Sequence, residues 1–430
     1  MVINKTRISG FRNIVDIQLN LEKITALVGP NSFGKSNVME AISFGFDFIK
    51  EPNVSNKDKM MMWKRGIPLL KINAMQNFSF DIELSLNSKN KKYFIHYGYE
   101  FAWGISRNSG KILKEYLRIK EKADHQKYQY FINRENGKAK YKSSETGRCS
   151  KIIKIEDNAL VINKIMAFDD LFYLDIIKQI NEFDYYIERH LDPSSSYSID
   201  PFIMKGFNDL DVNDIQNIPR TIYHLKKQYP NKYELLENSF KQLFPNILEI
   251  DIKEFKINSE HHKSVKTSED IPFVFSDRVY IMNVIDDNLV QPISFERMSD
   301  GAKRVFLMLT YAIIADIRGF SLISIEEPEN SIHPALLQNY LDVLLQLVCN
   351  CKVLISSHSP YILQYLNPHD IYVGIPCKQG KACFKRISGS KVNLLIKDAT
   401  EFNNSTGEYI FNLLSNEEEE LEILEGYLEQ

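Results

Sequence analysis

Thr25-Ala-Leu-Val-Gly-Pro-Asn-Ser-Phe-Gly-Lys-Ser36, continued by Asn37-Val-Met-Glu-Ala-Ile42, decides the fold of this chain. It reads as an apolar strand, a tight glycine loop and a helix. Gly29, Gly34, Lys35 and Ser36 match G-x-x-x-x-G-K-[ST], the spacing of a phosphate-binding loop. Glycines let backbone N–H groups close around phosphate oxygens without Cβ interference. The helix that starts near Lys35 turns its positive end toward the same oxygens. Lys35 is suited to neutralise the outer phosphates, and the Ser36 hydroxyl suits Mg²⁺. Chance produces such a pattern in roughly one or two per cent of chains this long, and the flanking strand and helix make it rarer still.

The 430 residues are 44% hydrophobic and 25% charged, with net charge −3. That is ordinary globular composition, with room for two or three domains. Near-neutral charge argues against a protein that coats nucleic acid over its whole surface, but allows a local basic patch. The five cysteines (Cys149, Cys349, Cys351, Cys377, Cys383) are odd in number and suggest no disulfide framework. They are expected to be reduced and mostly structural. Glu260-His-His-Lys263 reads as a polar loop, not a metal site. Met1 to Arg7 alternates polar and apolar, unlike a signal peptide. No apolar run approaches the ~18–20 residues of a membrane span, so the expected location is the cytoplasm, with no membrane partner.

Residues 1–28 read as three strands, the third delivering the glycine loop. The following helix carries Val38, Ile42, Phe46 and Ile49 at helical spacing and ends at Glu51-Pro52. A loop through Gly66-Ile67-Pro68 is expected next. Phe78–Leu86, Tyr93–Tyr97, Tyr116–Ile119 and Tyr128–Ile132 read as antiparallel hairpins. Lys111 to Lys154 is locally basic and carries Tyr116, Tyr128, Tyr130 and Tyr141, a composition that suits nucleic acid as well as plain exposed hairpin faces. Asn158 to His190 reads as one or two helices stopped by Asp192-Pro193. Pro219–Tyr229 and Tyr233–Leu243 read as two more, split by Pro230. Ile247–Phe255 and Ile271–Ile285 return to strands.

The chemistry resumes after Pro292. Met298-Ser-Asp-Gly-Ala-Lys-Arg304 leads into an apolar helix, with Ser299 as its N-cap. Leu322-Ile-Ser-Ile-Glu-Glu-Pro-Glu329 is a buried strand ending in carboxylates, and Lys352-Val-Leu-Ile-Ser-Ser-His-Ser-Pro360 a buried strand ending in a polar loop. Strands alternating with helices predict an α/β parallel sheet, whose ligands sit at the strands' carboxyl ends. Glu326, Glu327 and His358 fall at such ends, as the glycine loop does. Hydrolysis of a γ-phosphate needs a carboxylate on Mg²⁺, which Glu326 suits, and a second to orient and deprotonate water, for which Glu327 is the candidate. His358 is suited to hydrogen-bond the γ-phosphate or the water.

Gly29–Ser36, Met298–Lys303, Ile323–Glu327 and Ser356-Ser-His358 resemble the Walker A, signature, Walker B and switch-histidine motifs of ABC-type ATPases. The resemblance is closest to the branch holding SMC, RecF and OLD proteins. Ile8-Ser-Gly-Phe-Arg-Asn13 is similar to the opening of that branch, and Ile325-Glu-Glu-Pro-Glu329 with Ser357-His-Ser-Pro360 to OLD-type ATPases of anti-phage systems. The resemblance implies an ABC-type head, a mixed sheet with flanking helices and an antiparallel β part. The head would be formed by 1–87 and 276–430, with 88–275 an inserted β-hairpin and helical subdomain. It implies ATP and Mg²⁺ as ligands. ATP would meet Asn31, Gly34, Lys35, Ser36 and Asn37, and be touched as well by Arg12 and Asn13. Mg²⁺ would meet Ser36, Glu326 and a Q-loop residue, Gln76. Ser299 and Gly301 of one copy would close on the ATP of another, giving head-to-tail dimers. Glu326 takes the place of the usual Walker B aspartate, a replacement common in the OLD-like branch, and Asp300 departs from many signatures.

OLD proteins carry a Toprim nuclease domain, for which the roughly sixty residues after Asn367 leave little room. The resemblance to the PARIS and Septu ATPases instead implies a defence ATPase, triggered by a phage protein or DNA. It would hold or release a separate Toprim or HNH nuclease, with Thr406–Leu414 and the acidic end as a docking surface. A DNA-clamping repair ATPase of the RecF/SMC type is the alternative.

Overall fold

The computed structural model describes residues 1–430 apart from 32, 63–69, 72–75, 89–90, 105–109, 123–125, 136, 189–195, 198–200, 205–209, 211–216, 258–272, 349–350, 416–417 and 430. The expected loops at Gly66-Ile67-Pro68, Asp192-Pro193 and Glu260–Lys263 lie outside the described residues, as do Cys349, the end of the helix expected to reach His190, and the strand start at Ile271. The chain forms two compact units. One comprises Met1–Ile187, Phe320–Glu327 and Cys351–Gln430, the other Glu188–Gly319 and Pro328–Asn350.

The first unit opens with β1 (Val2–Phe11), β2 (Ile14–Asn20), β3 (Ile24–Val28), α1 (Lys35–Lys50) and α2 (Val54–Met60). Six antiparallel strands follow: β4 (Phe78–Ser88), β5 (Lys91–Ala102), β6 (Lys111–Glu121), β7 (Gln129–Glu135), β8 (Lys138–Lys142) and β9 (Cys149–Ile153). They form one eight-stranded sheet in the order β2-β1-β4-β5-β6-β7-β8-β9. The hairpins thus continue the sheet that β1 and β2 begin, through the β1–β4 pairing of Ile8 with Phe80. In β4 every second residue from Phe78 to Leu86 is buried, the period of a strand with one face in the core. That face meets α1: the Phe46 ring lies 5.2 Å from Phe80, and Phe48 lies 5.0 Å from Phe101. Gly45 is obligatory at this approach, because a Cβ there would sit 2.4 Å from the Phe80 ring.

Where helix was expected over 158–190, the structure has α3 (Val161–Ile165), α4 (Leu174–Asn181) and then a strand, β10 (Tyr185–Glu188). The aromatic pair Tyr185-Tyr186 suits a pleated sheet edge better than a third helix. Buried charges fasten the preceding segment. The Glu115 carboxylate accepts from Val161 N at 2.6 Å and Ile162 N at 2.9 Å. Arg134 donates to the carbonyls of Ala159, Glu156 and Asp157.

The second unit holds β11 (Phe202–Met204), α5 (Ile218–Gln228), α6 (Pro230–Leu243), β12 (Ile247–Lys256), β13 (Phe273–Phe275), β14 (Arg278–Asp286), β15 (Ile293–Ser294), α7 (Asp300–Arg318) and α8 (Pro334–Leu347). Pro230 opens α6 rather than interrupting it, since the first helical turn has no use for its missing N–H. Every residue of α7 from Ala302 to Ala315 is buried, the mark of a central helix.

Back in the first unit, β16 (Leu322–Glu326), β17 (Lys352–Ser357), β18 (Ile371–Ile375) and β19 (Cys383–Arg386) join β10 and β3 in a six-stranded sheet, ordered β10-β16-β17-β3-β18-β19. β16, β17, β3 and β18 run parallel. β3 and β18 are buried throughout, as strands covered on both faces are. The expectation of reduced cysteines fails at one point. Cys377 and Cys383 form a disulfide, because the β18–β19 register, which pairs Ile375 with Cys383, returns the chain to the side of Cys377. Cys149 is a thiol, and the Cys351 thiol donates to Lys352 O at 3.3 Å. The chain closes with α9 (Pro360–Leu363), α10 (Val392–Glu401), α11 (Thr406–Ser415) and α12 (Glu418–Glu425). Tyr409, Ile410, Leu413 and Leu414 of α11 are buried, so most of that segment's apolar surface is spent within the unit. Among the described residues no helix is long and apolar enough to cross a membrane.

Candidate functional site

Three parallel strands carry the site. Glu326 pairs with Ser356, and Ser356 with Leu27, so β16, β17 and β3 end level with one another. The chain leaving each strand therefore emerges at the same edge: Glu327 from β16, His358 from β17 and the glycine loop from β3. A cleft of about 220 Å³ opens there, lined by Asn31, Gly34, Lys35, Ser36, Asn37, Glu327, Ser356 and His358.

The loop has the conformation its glycines allow. Gly29 and Gly34 have φ of 154° and 99°, values that favour glycine. Gly34 immediately precedes α1, and its carbonyl accepts from Val38 N at 3.0 Å. Lys35 is 7% exposed, and its Nζ donates to the carbonyls of Gly29 at 2.6 Å and Pro30 at 2.9 Å. The ammonium is thus held across the mouth of the loop, while Ser36 is exposed at the start of the helix.

Glu327 has φ of +48°, a left-handed conformation that is strained for a residue with a Cβ. Its N–H donates to Ser356 O at 2.8 Å. One carboxylate oxygen lies 2.6 Å from Nε2 of His358, each side chain being about one-third exposed. Carboxylate and imidazole therefore face the cleft as a pair. Glu326 is half-buried at the end of β16.

Arg12 and Asn13 stand behind this edge. Arg12 donates to Asn37 Oδ1 at 3.1 Å and pairs with Glu40, and Asn37 donates to Asn13 Oδ1 at 2.7 Å. They brace Asn37 and are not among the cleft-lining residues. Gln76 is not brought to the cleft. Its amide donates to Val15 O at 2.6 Å, and it borders a separate polar cavity of about 430 Å³ with Arg7, Asp16, Asp81 and Glu100. Ser299 and Gly301 belong to the second unit. Ser299 caps α7, accepting from Ala302 N at 3.3 Å, and a Cβ on Gly301 would lie 2.3 Å from Ser331 O. Two contributors were not singled out from sequence. Ser356 lay inside a quoted motif, as the partner of Glu327 N–H, whereas Ala382, which packs on Gly34, had no motif to announce it.

The donor set fits a nucleotide triphosphate with Mg²⁺: a glycine cradle, one buried ammonium, an exposed hydroxyl and the Glu327 carboxylate, with Glu326 next to it at the end of β16 and outside the cleft lining. Among the described residues there is no group of three or more His, Cys, Asp and Glu residues that could hold a metal ion. The family model described as "AAA domain, putative AbiEii toxin, Type IV TA system" matches residues 24–364. The DNA replication and repair protein RecF of Bacillus cytotoxicus is 31% identical over 94 residues, 21% of this chain and 25% of that protein. RecF of Bacillus thuringiensis is 30% identical over the same shares. The match thus spans about a quarter of these curated relatives' length. A crystal structure of an SMC head bound to the C-winged helix domain of ScpA superposes with TM-score 0.50 at 13% identity, covering 92% of this chain and 100% of that one. At that identity it speaks for the fold alone.

Proposed function

The chain belongs to that AAA-domain family, and from this premise we propose that it is an ABC-type ATPase of the RecF/SMC branch, which hydrolyses ATP to gate a separate effector in bacterial anti-phage defence. The observation that carries the ATPase reading is the convergence of Lys35, Ser36, Glu327 and His358 on one cleft. Lys35 exchanges its two loop carbonyls for β- and γ-phosphate oxygens. Ser36 and Glu326 are the ligands offered to Mg²⁺, which when bound neutralises charge on those oxygens. Glu327 takes the proton of the attacking water. His358 holds that carboxylate through Nε2 and, with Nδ1 buried, turns the same Nε2 N–H to the γ-phosphate once ATP is bound.

Ser299 and Gly301 form the second half of the site, supplied by another copy. Ser299 is exposed at the head of a helix of 19 residues, an arrangement that favours anions. A copy that closes on bound ATP is stabilised by it, so ATP promotes a head-to-tail dimer and hydrolysis loosens it. The proposal keeps 1–87 and 276–430 as the head and 88–275 as an insertion, of which 88–187 belongs to the first compact unit and 188–275 to the second. The effector is proposed to be a Toprim or HNH nuclease encoded nearby, set free by a phage protein or DNA, with the ATPase itself lacking nuclease activity and working in the cytoplasm. The SMC head's complex with ScpA supports the idea that such heads take protein partners. Purified Glu327→Gln tests the ATPase core: it is expected to bind ATP like the wild type and to release phosphate about 10²–10⁴-fold more slowly, and ordinary turnover would overturn the assignment.

A second reading, a DNA-clamping ATPase of RecF type, is favoured by the outer face of the eight-stranded sheet. Residues 111–154 hold thirteen lysines and arginines against five acids in a chain of net charge −3. Arg118 lies over the rings of Tyr116 and Tyr130, and Lys120 over Phe94 and Tyr128. Cations interleaved with aromatic rings suit a polynucleotide. Hydrolysis stimulated by DNA and lost steeply with salt would select this reading over the defence gate.

A further inference from the structure

Both glycines of the phosphate loop lean on one hairpin. A Cβ on Gly29 would lie 3.1 Å from Gly374 O, in β18, and a Cβ on Gly34 would lie 2.8 Å from Ala382 Cβ, just before β19. Next to those two contacts the hairpin is cross-linked by Cys377 and Cys383, the second of which directly follows Ala382. The turn inside the cross-link reaches the cleft through Asn13. Ala382 N donates to Asn13 O at 2.9 Å, and Asn13 Nδ2 to Gly380 O at 3.3 Å. Asn13 Oδ1 in turn receives Asn37 Nδ2, and Asn37 lines the cleft. The turn also holds two successive left-handed residues, Gln379 at φ 65° and Gly380 at 72°. A non-glycine residue in that conformation stays there only when its surroundings impose it.

We propose that this hairpin is the support of the ATP site and that its cross-link is a redox control on nucleotide binding, an inference that rests on the ATP-site reading above. With Cys377 and Cys383 joined, Gly374 and Ala382 are held at fixed separation, and the loop that packs on both is preorganised for phosphate. A dithiol reductant opens the link by exchange. One of its thiolates attacks a cysteine sulfur and the S–S bond breaks; its second thiolate then displaces the mixed disulfide. The hairpin is left with two thiols and the reductant with a disulfide. The freed turn then has to be ordered at the moment ATP binds, which lowers affinity. Disulfides in reducing compartments are mostly of this reversible, sensing kind.

The test measures binding of a non-hydrolysable ATP analogue to the full-length protein by calorimetry, before and after treatment with dithiothreitol, with thiols counted and thermal melting recorded in each state. Reduction is expected to expose two more thiols, to weaken binding by roughly three- to tenfold, and to leave the melting transition cooperative. Reoxidation restores the affinity. The double variant Cys377→Ser, Cys383→Ser binds as weakly as the reduced protein and ignores dithiothreitol, whereas Cys149→Ser responds like the wild type. Equal affinity in both redox states overturns the proposal and leaves the ATP site standing, as does a thiol count that reduction does not change. Loss of the melting transition on reduction also overturns it, since the effect would then be global unfolding. Failure to bind the analogue in either state overturns the ATP-site reading itself.

Discussion

At the scale of single residues the site depends on conformations that few side chains tolerate. Glu327 holds φ +48° with its N–H on Ser356 O and its carboxylate on His358. Replacing it with glutamine keeps shape and hydrogen bonding but removes the base, so phosphate release is expected to fall by about 10²–10⁴-fold with ATP affinity unchanged. Gly34→Ala acts differently. Its added Cβ meets both Ala382 and Asn13 at a φ of 99°, so ATP binding is expected to be lost while the melting temperature moves by only a few degrees, a split that calorimetry and a thermal melt read together. That Lys35, Ser36, Glu327 and His358 would come together at one edge was legible in sequence, because phosphate chemistry ties residue type to fixed spacing and to strand ends. Gln76 was chosen by position alone, and nothing in its neighbours recorded that its amide would turn to Val15. The Cys377–Cys383 bond was hidden for a similar reason, since an odd cysteine count says nothing about which pair a hairpin brings together.

At the scale of elements, α7 separates structural from functional roles for one residue. Ser299 caps the helix through Ala302 N, so Ser299→Ala is expected to cost about 0.5–2 kcal/mol of stability. Ser299→Asp restores the cap but sets a negative charge where another copy's γ-phosphate is proposed to lie. It is expected to melt like the wild type and yet fail to dimerise with ATP, which light scattering measures. In α2, burial lowers Lys57 to about 8 although Glu115 and Glu51 oppose the shift, and its Nζ is held by Glu51 O and Asn163 Oδ1. Between pH 8 and 10 the unfolded chain holds the Lys57 proton more fully than the folded one, so raising pH favours the folded state. Wild type is expected to gain on the order of 1–3 kcal/mol relative to Lys57→Met across that range, and denaturant titrations at both pH values check it. Strand and helix order was legible wherever apolar periodicity was strong, as in β4 and α7. It was not over 158–190, where Tyr185-Tyr186 belongs to a sheet edge whose partner, β16, lies more than a hundred residues away and leaves no local trace.

At the scale of the molecule, the phosphate loop, Glu327 and His358 lie in one compact unit and Ser299 with Gly301 in the other. On the function proposed above, that division has a purpose: each copy lends its second unit to a partner's ATP. The most direct test mixes two inactive variants and measures phosphate release. Lys35→Ala cannot hold ATP, and Ser299→Arg cannot complete a partner's site; each alone is expected to be silent. In a head-to-tail pair of the two, one of the two sites combines an intact loop with an intact Ser299. Mixing at equal amounts is expected to restore about a quarter of wild-type turnover through random pairing. Silence after mixing, or full activity of Ser299→Arg alone, would contradict a site built from two copies.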